Sequence, residues 1–133
     1  MTQPGIHSEF LVLSRGQWDE DKSPDEIQAA IDAFYGWHEA LVEQGLARPG
    51  QRLGPEGRVV SRQAIVDGPF AEAKEVVGGY WFMIAASLDE AAALLAGNPC
   101  LACGLQMEVR PLDPERASAH VQASETPASR RRP

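Results

Sequence analysis

Three groups of residues combine side chains and spacings suited to chemistry. The first is Asp67-Gly68-Pro69-Phe70-Ala71-Glu72-Ala73-Lys74-Glu75. Asp67 sits on a Gly-Pro turn, where it either caps its own backbone or offers a carboxylate base, or a hydrogen-bond acceptor, to a small polar ligand. Glu72, Lys74 and Glu75 read equally well as an exposed ribbon of weak ion pairs or as the polar rim of a pocket. A charged loop running into a rigid apolar strand is a usual seat of function. Asp67, Gly68, Pro69, Phe70, Glu72 and Lys74 are therefore the candidate ligand-binding residues.

The second is His38, which falls on an apolar helical stripe four residues after Phe34 and three before Leu41. Imidazole titrates near neutral pH, so His38 suits a general acid or base at the floor of a pocket. Its plainer role is a core histidine with a hydrogen-bond partner. His38 and Asp67 are the candidate catalytic residues. The third group is Cys100-Leu101-Ala102-Cys103, which has the spacing of a redox pair or of half a zinc site. A closed zinc site takes four ligands, and the sequence holds only these two cysteines. A redox pair normally opens a helix after a strand, whereas this one follows the helix stop Gly97-Asn98-Pro99. The pair reads as structural thiols, and neither a metal nor another cofactor is expected.

Elements that would position these groups follow from periodicity. Residues 8–15 carry Phe10-Leu11-Val12-Leu13, apolar on both faces, as a central strand would be. Ser23-Pro24-Asp25-Glu26 is a capping box with proline at the first helical position. The helix it opens runs to about residue 44, where Gly45 stops it. Ile27, Ile31, Phe34, Leu41 and Val42 recur there at helical spacing, and Trp37 at the stripe's edge reads as packing. Residues 46–56, rich in Pro and Gly, read as irregular or hairpin-like. Residues 58–66 alternate well enough for a strand near a sheet edge.

The run 79–86 is apolar on both faces, with Tyr80, Phe82 and Ile84 on one side and Trp81, Met83 and Ala85 on the other. Ser87-Leu88-Asp89-Glu90 repeats the capping-box pattern and opens a short helix with Leu88, Ala91, Ala92 and Leu95 toward the core. Residues 104–112 form a last, half-buried strand.

These elements read β-α-β-β-α-β, the ferredoxin-like α+β arrangement with both helices on one face of an antiparallel sheet. Its first and third strands are central, as the two doubly apolar strands require. The uncovered sheet face would be apolar in a single copy, so a homodimer packed sheet against sheet is expected, with a ligand cavity at that interface and a small-molecule pocket near the Asp67 loop. The 133 residues divide into one domain over 1–112 and a flexible tail over 113–133 that ends in Arg130-Arg131-Arg132-Pro133. A net charge of -7 excludes nucleic acid as a partner of the whole domain. The apolar runs 80–86 and 91–96 are too short to span a membrane, and the N-terminus lacks the pattern of a signal peptide, so the expected location is cytoplasmic.

The Asp67-to-Glu75 loop, followed by Gly78-Gly79-Tyr80, Ser87-Leu88-Asp89-Glu90-Ala91 and Glu108-Val109-Arg110-Pro111-Leu112, resembles the DGPF branch of the YCII-related family over about residues 8–112. The resemblance implies a dimeric α+β barrel. It also raises a sigma factor of the extracytoplasmic-function class as a partner, because several relatives are encoded with or fused to one. One branch of the family contains an enzyme that removes chloride from a chlorinated hydroxyquinol, which implies acid–base chemistry on a small hydroxylated or aromatic metabolite as an alternative to binding alone. That branch pairs an acidic residue with a histidine on the first helix. The matching position lies near Phe34, one turn before His38, and its Asp-Pro after the second helix stands here as Asn98-Pro99.

Overall fold

A computed structural model describes residues 7–68 and 77–112. Pro69, Phe70, Glu72 and Lys74, and the tail over 113–133, lie outside them. The chain begins with β1 (Ser8–Arg15) and α1 (Pro24–Glu43). Ser23 Oγ accepts from the Glu26 N–H at 3.1 Å while Glu26 Oε1 accepts from the Ser23 N–H at 3.2 Å, so both halves of the capping box form. At the other end Gly45 takes φ 77°. Its N–H bonds the Val42 carbonyl and the Leu46 N–H bonds the Leu41 carbonyl, the Schellman arrangement in which glycine relieves the left-handed turn.

There follow β2 (Ala47–Arg52), β3 (Gly57–Val60), β4 (Ile65–Gly68), β5 (Val77–Ala85), α2 (Leu88–Leu95), a 3-10 helix (Pro99–Cys103) and β6 (Gln106–Pro111). Four strands make one sheet in the order β2-β5-β1-β6, antiparallel throughout, with β1 and β5 central. This is the α+β ferredoxin-like order that the sequence predicts.

The edge strand differs from expectation. It is β2, within the segment read as irregular, whereas residues 57–68 fold into a separate β3–β4 hairpin. Pro49-Gly50 conceals β2 because it produces a register shift between Arg48 and Gln51. A Cβ on Gly50 would lie 1.9 Å from the Tyr80 carbonyl oxygen, so the close approach of the two backbones requires glycine. In α2, Ala91 and Leu95 are buried but Leu88 and Ala92 are exposed. An eight-residue helix offers the sheet one narrow stripe. Its capping box is half formed: Ser87 Oγ accepts from the Glu90 N–H, while Glu90 Oε1 accepts from Ala86.

The helices cover the face of Phe10, Val12, Trp81, Met83 and Ala85, which form the core with Leu41, Ala47, Ala91 and Leu95. By alternation, Leu11 and Leu13 share the opposite face with their cross-strand partners Phe82 and Tyr80. Arg48 lies over the Phe82 ring, 4.2 Å from its centroid, and grips Glu9 through Nε and Nη2. Arg15 pairs with Glu108 on the other flank.

Candidate functional site

α1 carries two adjacent rows of side chains at i, i+4 spacing. Phe34, His38 and Val42 make one; Tyr35, Glu39 and Glu43 make the next. Both rows border an open cavity of about 800 Å³, lined also by the end of β1, the second half of β2, the start of β5 and residues Cys100, Leu105 and Met107. Trp18, from the loop after β1, and Trp81 complete an apolar lining, and Arg52 and Gln51 add polar groups from β2.

His38 is 8% exposed. Phe34 stacks on its ring at 5.4 Å and Trp81 meets it edge-on at 4.8 Å. Burial holds the imidazole below its usual 6.5, against smaller opposing effects of a backbone hydrogen bond with Arg48 and the charge of Glu39. Burial thus favours the uncharged ring, and Nε2 is itself buried with no partner among the described residues.

Asp67 lies elsewhere, on β4 opposite Arg58, and its carboxylate is 93% exposed and 3.4 Å from the Arg58 guanidinium. It does not line the cavity that His38 borders. Gly68 ends the same hairpin strand.

Cys100 and Cys103 are buried free thiols. Cys100 Sγ donates to the Ala30 carbonyl at 3.7 Å, and burial, with the neighbouring Cys103, pushes its pKa up. A protonated, hydrogen-bonded thiol is a packing group rather than a nucleophile. Asn98 caps the 3-10 helix by accepting from the Cys100 N–H at 2.9 Å. Among the described residues no cluster of His, Cys, Asp or Glu has the arrangement of a metal site, and no helix is long and apolar enough to cross a membrane.

Glu39, Glu43, Tyr35, Trp18 and Arg52 were not apparent as site residues in the sequence. The row 35/39/43 beside the row 34/38/42 was the available signal, but solvated helix faces show the same charges. The fold and cavity together define a ferredoxin-like α+β domain with a pocket between its first helix and one end of its sheet. The chain matches the YCII-related domain over residues 10–113 and belongs to that family. No curated protein matches it.

Proposed function

We propose that this YCII-related protein binds a small, ring-bearing metabolite in the cavity between α1 and the sheet, and that it works as a two-fold pair of copies. The observation that carries the reading is the lining itself. A space of about 800 Å³ falls within the range of small-molecule sites, roughly 300–1,000 Å³. Its walls combine the rings of Trp81 and Phe34 with one buried, uncharged imidazole. Apolar walls supply affinity, and a few placed polar groups supply orientation. The pairing of copies draws on the half-buried Leu11, Leu13 and Phe82 of the sheet face opposite the helices.

Thermal shift with a panel of ring compounds tests binding. A ligand at a hundred times its Kd adds about 2.7 kcal/mol of stability. The expected result is a raised Tm for the parent and for Asp67→Asn, and no rise for His38→Gln. A compound that protects all three variants alike would place binding outside the cavity.

A second reading, acid–base turnover of the bound compound, draws on the His38 imidazole among the lining residues. Product formed by the parent protein from a compound that raises its Tm, detected by mass spectrometry, would distinguish it from binding alone.

A further inference from the structure

The cavity wall contains a thiol pair that ligand binding leaves unused. Cys100 borders the cavity, and Cys103 ends the same 3-10 helix. Both are buried and free. In a 3-10 helix, side chains three residues apart stand one above the other, with a rise of about 2.0 Å per residue. The two α-carbons are therefore about 6 Å apart, inside the roughly 4.4–6.8 Å that a disulfide spans. Their β-carbons, stacked at the same spacing, must close by about 2 Å to reach the roughly 3.8 Å that the bridge needs. Forming the bond would tighten the turn.

The turn is tied to its surroundings at two points. Cys100 Sγ donates to the Ala30 carbonyl of α1 at 3.7 Å, a bond that a disulfide removes because the donor loses its hydrogen. The Cys103 carbonyl accepts from the Asp19 N–H at 2.9 Å, which pins the loop that carries Trp18, itself a cavity residue. Gly104 follows at φ 102°, and a Cβ on it would overlap the Asp19 carboxylate, so the loop and the turn pack without slack.

We infer that Cys100 and Cys103 are a reversible oxidation site, closed by a small peroxide entering through the cavity, and that closure displaces Trp18 in the cavity lining. With hydrogen peroxide, the Cys100 sulfur gives up its proton and attacks one oxygen, forming a sulfenic acid and releasing one water. The Cys103 sulfur then attacks Cys100, and its proton leaves with the hydroxyl as a second water. Two thiols and one peroxide become one disulfide and two waters, with two electrons passing from sulfur to oxygen. Burial keeps the Cys100 thiol protonated at rest, so closure is a slow response to sustained oxidant and not a turnover step. The site needs no ligand in the cavity, and its test is independent of the ring-compound reading.

Peptide mass mapping of reduced parent protein incubated with hydrogen peroxide tests it. The expected product is a disulfide within the one peptide that holds both cysteines, lighter by two hydrogens and restored by dithiothreitol, with the chains unlinked. Tryptophan emission should shift in step with it. The shift should be absent from Cys100→Ser and Cys103→Ser and strongly reduced in Trp18→Phe.

Stable addition of oxygen to either sulfur without a disulfide, or a disulfide between chains, would overturn the site. An unchanged mass under conditions that oxidise the urea-unfolded chain would do the same. A disulfide whose emission shift is as large in Trp18→Phe as in the parent would overturn the coupling to the cavity. Should the serine variants misfold, the parent's own mass change still decides.

Discussion

Trp81 and His38 meet edge to face, ring centroids 4.8 Å apart and planes at 84°, so the floor of the cavity and the core of the domain are the same contact. Trp81 is 5% exposed, and Trp37 also meets it edge-on at 5.7 Å. Trp81→Ala should cost about 3–5 kcal/mol, as loss of a buried large aromatic side chain does. Trp81→Phe keeps a ring against His38 and should cost distinctly less. Urea denaturation midpoints measure both, and a loss below about 1 kcal/mol for Trp81→Ala would show that the ring does not organise the core.

Acid should weaken the fold in two separate windows. Burial depresses the folded pKa of His38 below 6.5, so the unfolded chain takes up a proton first as pH falls. The His38 contribution is therefore fully present above about pH 6.5. It declines as pH drops toward the folded value and then levels off. Glu9 and Glu26 are held below 4.5, Glu9 chiefly by its hydrogen bond from Arg48 and Glu26 by the Ser23 backbone. Their contributions are lost only below that pH. Melting curves from pH 8 to pH 4 should show a first decline beginning near 6.5 that His38→Gln removes. A His38→Gln curve parallel to the parent's through that window would contradict the neutral buried ring.

Glycine at position 50 is a requirement of the β2–β5 contact and not of loop flexibility. A Cβ there would lie 1.9 Å from the Tyr80 carbonyl oxygen, within the sheet backbone, whereas a Cβ on Gly54 meets nothing within 4 Å. Gly50→Ala should destabilise by about 3 kcal/mol or more and Gly54→Ala by no more than about 0.5 kcal/mol. Since Gly50 also borders the cavity, ligand protection should fall with it. Equal stabilities of the two variants would mean that β2 does not run this close to β5.

The same residue shows what the sequence could and could not reveal. Ser23, Glu26 and Gly45 act through local backbone geometry, so the limits of α1 are legible in four or five letters. The doubly apolar runs around Val12 and Met83 mark the central strands for an equally direct reason, burial on both sides. β2 was hidden because its signal depends on what lies across from it: Pro49-Gly50 is turn chemistry in isolation and a bulge against Tyr80 in the sheet. Val59 and Val66, half of an apparent single strand, are cross-strand partners in a hairpin. His38 stood out because an imidazole occupies a position of the apolar stripe, and it is both buried and among the residues lining the cavity. Its relation to Asp67 was not legible, since nothing local indicates that Asp67 faces solvent beside Arg58.

The sheet face opposite the two helices leads to the last prediction. Leu11, Leu13 and Phe82 lie side by side there on the two central strands, half-buried, with the Arg48–Glu9 and Arg15–Glu108 pairs at its margins. An apolar centre with a polar rim is how a protein–protein interface is laid out. A stable pair needs roughly 800 Å² per partner. In a pair built on this face, as proposed above, Leu11 of each copy would lie against apolar residues of the other. Leu11→Glu should therefore place a carboxylate where it can be neither solvated nor paired. Light scattering should give the parent twice the 14.4 kDa chain mass, and Leu11→Glu the mass of one chain with its helical circular dichroism intact. Val60→Glu, on the exposed β3–β4 hairpin, should leave the parent mass unchanged. If Val60→Glu separates the copies and Leu11→Glu does not, the hairpin holds the pair together and the sheet face does not. The salt dependence then decides how much the margin contributes, because screened rim charges would loosen the pair only slightly while its apolar centre held.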